Sequence, residues 1–195
     1  MWNKRTVLTA GFLACALVAA GVFFWPTPSP PPAPVPAELP RAGLTLRDGR
    51  MCPLAGGGPY TGIMFERSAQ GKRLTEVPLK EGLIQGVARG WYDSGQLEVE
   101  ETYLNGVSQG VRRRWHQNGQ LKSEATIVAG KLHGPYTEWH DNGKKAAHLT
   151  LVEGKPEGLS EAWHPDGSPK AVVVMKEGKP VKQEFFPIKT VAQQP

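Results

Sequence analysis

Tryptophan and glycine recur through the middle of this chain at a fixed interval of 24 residues. Trp91, Trp115, Trp139 and Trp163 share one phase, and Gly95, Gly119, Gly143 and Gly167 follow them by four residues. Gly86, Gly110, Gly134 and Gly158 open the copies; Gly106, Gly130, Gly154 and Gly178 close them. The register extends backwards once through Gly62, Gly71 and Gly82, with Arg67 at the tryptophan phase, which makes five copies starting at 62, 86, 110, 134 and 158, the first degenerate. A fixed period of this size marks a repeat architecture, in which each unit buries its apolar surface against the next.

The copy starting at Gly110 reads as one hairpin. Val111 to His116 predicts a strand, Gln117 to Gln120 a turn, Leu121 to Val128 a second strand, and Ala129-Gly130-Lys131 a second turn. Asn118-Gly119 and Asn142-Gly143 are the pairs favoured where both central residues of a two-residue hairpin loop need positive φ. The second turn carries Asn105-Gly106, Ala129-Gly130, Glu153-Gly154 and Glu177-Gly178. The fold class that follows is all-β: an elongated, single-layer antiparallel sheet of tandem 24-residue hairpins, roughly ten to twelve strands in all. With Asn-Gly as the turn, His116 lies opposite Leu121 and Trp115 opposite Lys122. One face then gathers Leu97, Val99, Tyr103, Leu121, Ala125, Ile127, Leu149, Leu151, Val173 and Met175 and is the better buried. The other face carries the four Trp with Glu98, Glu100, Lys122 and Glu124. A bulge at any glycine reverses this parity.

The N-terminus reads as an export signal that stays attached. Lys4 and Arg5 precede twenty uncharged residues, Thr6 to Trp25, a length that crosses a bilayer as a helix. Positive charge on the leading side predicts an N-terminus inside and the rest of the chain outside. Val18-Ala19-Ala20 offers small residues for signal cleavage, which leaves secretion as the alternative, but the apolar run continues through Val22 to Trp25. Cys15 follows Phe12-Leu13-Ala14, off the pattern of a lipidated cysteine, and reads as a small apolar residue of the helix. Eight prolines in the fifteen residues Pro26 to Pro40 predict an extended polyproline spacer. The organisation is thus a signal-anchor over 1–25, a linker over 26–43, the array over 44–182 and a tail over 183–195. The expected location is the cytoplasmic membrane, single-pass, with the C-terminal part periplasmic.

Between linker and array, Leu44-Thr45-Leu46, Asp48-Gly49 and Arg50-Met51-Cys52 spell a hairpin. It is expected to cap the open edge, since terminal repeats are atypical. Cys52 has no partner cysteine beyond the membrane segment; it reads as a buried small side chain, with an intermolecular disulfide as the alternative.

Charge narrows the partners. The formal charge is +5. Setting aside Lys4 and Arg5 leaves 21 basic against 18 acidic residues, too mixed for a nucleic-acid interface. His116, His140 and His164 also recur at the repeat interval. Equivalent positions lie two strands apart, about 9.5 Å, whereas zinc holds its nitrogen ligands at about 2 Å. These histidines are therefore expected to stand in for Tyr92 as half-polar rungs, and no metal or cofactor is expected. Glu98, Glu100, Glu101 and Glu124 read as cross-strand partners of Arg or Lys, not as catalytic carboxylates. With no nucleophile elbow, phosphate loop or zinc-protease motif, no enzyme activity is expected. The candidate binding face is the row Trp91, Trp115, Trp139 and Trp163.

The stretches Gly90-Trp91-Tyr92-Asp93-Ser94-Gly95-Gln96-Leu97 and Arg114-Trp115-His116-Gln117-Asn118-Gly119-Gln120-Leu121-Lys122, with Tyr103-x-Asn105-Gly106, resemble the MORN-repeat family, in the bacterial variant carried by YwqK-type antitoxin-like proteins. Gly58-Pro59-Tyr60-Thr61-Gly62 is similar to that family's entry into its first repeat. The resemblance implies a hairpin-array binding or scaffold module, with links to membranes and to protein partners, and brings no catalytic residues. A protein partner is the expectation; a glycan such as peptidoglycan, or a lipid headgroup, is the alternative.

Overall fold

A computed structural model describes residues 37–187. The expected membrane helix over 1–25, the first part of the proline-rich stretch and the last eight residues lie outside the described residues. Among the described residues no helix is long and apolar enough to cross a membrane.

The chain is built of strands. β1 (Glu38–Pro40) leads through a single 3-10 turn (Arg41–Gly43) to β2 (Leu44–Arg47) and β3 (Arg50–Pro53). Then come β4 (Gly62–Arg67), β5 (Arg73–Lys80), β6 (Leu83–Ile84), β7 (Gly86–Trp91), β8 (Leu97–Leu104), β9 (Val107–Trp115) and β10 (Leu121–Val128). The last five are β11 (Lys131–Trp139), β12 (Lys145–Val152), β13 (Lys155–Trp163), β14 (Pro169–Lys176) and β15 (Lys179–Phe185). One sheet of 13 strands runs β1-β4-β5-β7 and then in chain order to β15, with β6 paired to β5; β2 and β3 form a second, two-stranded sheet. From β7 to β15 consecutive strands pair antiparallel, as the hairpin period predicts.

Three details differ from expectation. The first concerns the turns. Asn118-Gly119 is not a two-residue loop: His116 N–H donates to Gln120 O at 2.8 Å and Gly119 N–H to His116 O at 2.9 Å, and Gly119 alone has positive φ. The loop is three residues long, a turn closed by a glycine bulge. The two-residue loops with both residues at positive φ are the other set: Asp48-Gly49, Glu81-Gly82, Asn105-Gly106, Ala129-Gly130, Glu153-Gly154 and Glu177-Gly178.

The second is register. Trp115 pairs with Leu121, not Lys122, and the ladder slips before Ser123 pairs with Arg114. The same slip pairs Trp91 with Leu97, Trp139 with Lys145 and Trp163 with Pro169. Directly paired residues share a face, so Leu97 and Leu121 sit with the tryptophans, against the expected separation. The strands are also longer than expected; β9, β11 and β13 run through Gly110, Gly134 and Gly158, which hold positive φ inside the strand.

The third is the edge. The β2–β3 hairpin forms as predicted, but it does not extend the sheet. The sheet's first edge is covered by β1, from the expected linker, paired parallel to β4. The hairpin instead lays Leu44 over one face: Leu44, Tyr60 and Leu79 are buried together, with Leu39, Met51, Met64, Val77 and Ile84 packed around them. Among the described residues this is the place where a second layer covers the sheet. Gly82 is fixed by this contact, because a Cβ there would stand 2.8 Å from Arg50 Cβ and 2.9 Å from Met51 N. Cys52 is free and buried, as a small apolar residue should be. At the far end, β15 reaches Phe185 and is exposed throughout.

Candidate functional site

The four candidate tryptophans stand at equivalent places, the last residues of β7, β9, β11 and β13, each just before a three-residue loop. All four are half-buried, neither in a core nor free in solvent. The loops that follow are tied to one another one copy at a time. Tyr92 Oη donates to Trp115 O at 2.8 Å. His116 Nε2 meets Trp139 O at 2.9 Å, and His140 Nε2 meets Trp163 O at 3.0 Å. His164 Nε2 reaches Phe186 O at 3.1 Å, past the last tryptophan. A carbonyl only accepts, so each imidazole donates its Nε2–H. The histidines are rungs between copies, as the equivalence with Tyr92 predicts.

A second ladder runs beside the first. Asn118 Nδ2 donates to Asp141 O at 2.6 Å and Asn142 Nδ2 to Pro165 O at 2.7 Å. Each Asn also accepts with Oδ1, from Gln120 N and Lys144 N at 3.0 Å. Between these ladders and the strands lie two open recesses. One, of about 530 Å³, is walled by Trp139 and Trp163, with Ala146, Ala147 and Ala162 among its lining residues and Glu138, Asp141 and Lys170 as its charged groups. The other, of about 380 Å³, lies between Tyr92, His116, Asn118 and Asp141. Lys145 Nζ stands 6.0 Å from the centre of the Trp163 ring, within cation–π range. The three alanines come together at this place: one copy earlier the positions of Ala146, Ala147 and Ala162 hold Lys122, Ser123 and Glu138, and one copy later they hold Lys170, Ala171 and Phe186.

The carboxylates are accounted for by pairing. A row that crosses the sheet reads Glu76, Arg89, Glu100, Arg113, Glu124, each paired to the next. Arg89 Nε lies 2.9 Å from Glu100 Oε2, and Arg113 Nε 2.7 Å from Glu124 Oε2. Glu98 and Glu101 face Arg114 and Arg112 at 3.5 and 4.0 Å. Apart from Glu101, which is more buried, these groups remain a quarter to a half exposed, and such pairs contribute about 0–1 kcal/mol each. Beyond Glu124 the row changes character to Thr137, His148, Glu161, Val172 and Glu184, with Thr137 Oγ1 3.0 Å from His148 Nδ1. On the opposite face Tyr136 and Tyr103 hold their phenol protons more tightly than usual, first because they are buried and then because Glu138 and Glu101 lie beside them.

Sequence reasoning missed one aromatic site. In the degenerate first copy, Arg67 and Arg73 stand 5.1 and 4.9 Å from the centre of the Phe65 ring, beside an open recess of about 580 Å³ lined also by Arg41 and Leu74. Arg67 at the tryptophan phase was the available signal. The alternation of Glu76, Glu100 and Glu124 with Arg89 and Arg113 was legible too, because each set keeps the 24-residue interval.

A family model described as a MORN repeat variant matches residues 84–105, 108–128 and 132–151. The three matches take in the hairpins β7–β8, β9–β10 and β11–β12. The hairpins β4–β5 and β13–β14 close with the same loop hydrogen bonds, Ser68 N–H to Lys72 O at 2.8 Å and His164 N–H to Ser168 O at 2.9 Å. No curated protein matches the chain.

Proposed function

We propose that this chain is a MORN-type binding module that engages another protein along its tryptophan edge and works from outside the cytoplasmic membrane on an N-terminal anchor. The observation that carries the reading is the row of four half-buried tryptophans at one register position, with open recesses between successive loops. Tryptophan is among the residues most enriched at the centres of protein interfaces. A row with one large aromatic per copy suits an extended partner. MORN repeats suggest a protein- or lipid-binding module, and a protein is also the class of partner that the antitoxin-type resemblance implies. Anchoring rests on Lys4, Arg5 and the twenty uncharged residues that follow. No catalytic role is assigned: His116 and His140 bond the copy after their own, and Glu98, Glu100, Glu101 and Glu124 lie against arginines of the neighbouring strands.

A glycan such as peptidoglycan is the second reading. The recess between Trp139 and Trp163 favours it, since aromatic walls with Glu138, Asp141 and Lys170 at hand suit an amphipathic sugar ring. Crosslinking of the full chain in cells followed by mass spectrometry separates the two. The protein reading predicts one dominant crosslinked protein, joined through lysines of the tryptophan edge such as Lys122, Lys145 and Lys170. Recovery of no protein, with retention on cell-wall material, would replace it by the glycan reading.

A further inference from the structure

Each tryptophan of the row carries a donor that the protein leaves unused. The rungs between copies engage backbone carbonyls, those of Trp115, Trp139 and Trp163. Among the described residues none of the four indole Nε1–H groups donates a hydrogen bond, and none is sealed from solvent. An indole N–H only donates, and a buried tryptophan ordinarily finds it a partner. The edge therefore offers one aromatic face and one free donor per copy. Equivalent residues of adjacent copies are two strands apart in the sheet, about 9.5 Å.

That interval discriminates between extended ligands. A β-strand shows the same side every second residue, about 6.7 Å, and falls out of step at once. Two turns of α-helix cover about 10.8 Å and overrun the row by about 4 Å across its three intervals. A polyproline II helix rises about 3.1 Å per residue and shows the same side every third residue, about 9.3 Å. It stays within about 1 Å of the row from the first tryptophan to the fourth. It has no internal hydrogen bonds, so its carbonyls are free to accept from the indoles. Proline-rich segments dock against aromatic side chains in this conformation. Charge also favours an uncharged ligand: Glu138 and Asp141 at the recess between Trp139 and Trp163 are offset by Lys170 and by Lys145 over the Trp163 ring. With Ala146 and Ala147 among its lining residues, that recess has room for a proline ring.

On the protein reading of this edge, we infer that its occupant is a proline-rich segment of the partner, in polyproline II conformation, with a proline at every third position set against successive tryptophans. The indole N–H groups donate to its backbone carbonyls, and the indole faces pack against its rings.

The test is titration of the full chain, in detergent, with a dodecaproline peptide, read by NMR from the indole Nε1–H resonances. Twelve prolines extend about 37 Å, enough to cover the row, whose three intervals span about 28 Å. The resonances of Trp91, Trp115, Trp139 and Trp163 are expected to shift and to saturate. Trp139→Ala/Trp163→Ala is expected to weaken binding about tenfold or more, with unchanged backbone amides in β8 to β10 showing that the sheet is intact. Unmoved indole resonances, or equal shifts with a glycine–serine peptide of the same length, would overturn the proposal. A crosslinked partner without a proline-rich segment would also overturn it, and would leave the protein reading in place.

Discussion

His140 illustrates how single residues join copies that have almost no core between them. Few side chains in the repeats are buried; among the described residues they are Leu79, Ala125, Ile127, Leu151 and the polar Ser123. The rung from His140 Nε2 to Trp163 O adds a side-chain bond to the β12–β13 ladder that joins its copy to the next. His140→Ala is expected to lower the unfolding free energy by about 1 kcal/mol, the net worth of a typical hydrogen bond. His140→Tyr is expected to cost little, because Tyr92 makes the same rung. Urea denaturation of the two variants checks this; equal loss in both would mean that the ring packs without bonding. That Tyr92 and the three histidines form one series was legible from their spacing. Their acceptors were not, because a backbone carbonyl some 23 residues further on has no residue signature.

At the level of the hairpin, the two kinds of turn show where sequence reading succeeded and where it failed. The existence and spacing of the turns followed from the glycines. Their types were exchanged, because Asn-Gly serves both. Asn118 keeps negative φ and uses its side chain to accept from Gln120 and donate to Asp141, whereas Asn105 has φ of 51°. The same exchange shifted the register by one and moved Leu97 and Leu121 to the wrong face. Ala129 occupies the positive-φ position with φ of 48°, a conformation that costs an ordinary L-residue about 1–2 kcal/mol. Ala129→Asn is accordingly expected to stabilise the protein by about 1 kcal/mol and raise its Tm. A Tm unchanged or lowered would mean that the turn does not hold this geometry in solution. β1 was hidden by its composition: a stretch ending in Pro40 reads as spacer, yet a proline at the end of a three-residue edge strand removes no ladder bond that the sheet needs.

At the scale of the whole array, each strand touches mainly the strands beside it, so stability is a sum over neighbours. The two ends are treated differently. β1 and the Leu44 hairpin cover the first copy, while β15 carries Lys179, Pro180 and Lys182, residues that discourage further strand pairing. The partner surface proposed above is the tryptophan edge, and crosslinking of a Trp139→Ala/Trp163→Ala variant in cells tests that proposal most directly. Leu104→Ala/Val152→Ala, which removes exposed apolar side chains next to the two-residue turns instead, serves as the control, with cooperative unfolding verified for both. The account predicts that the yield of the dominant crosslinked protein falls about tenfold or more in the tryptophan variant, as for loss of central interface residues, and holds in the control. An undiminished yield in the tryptophan variant would contradict it.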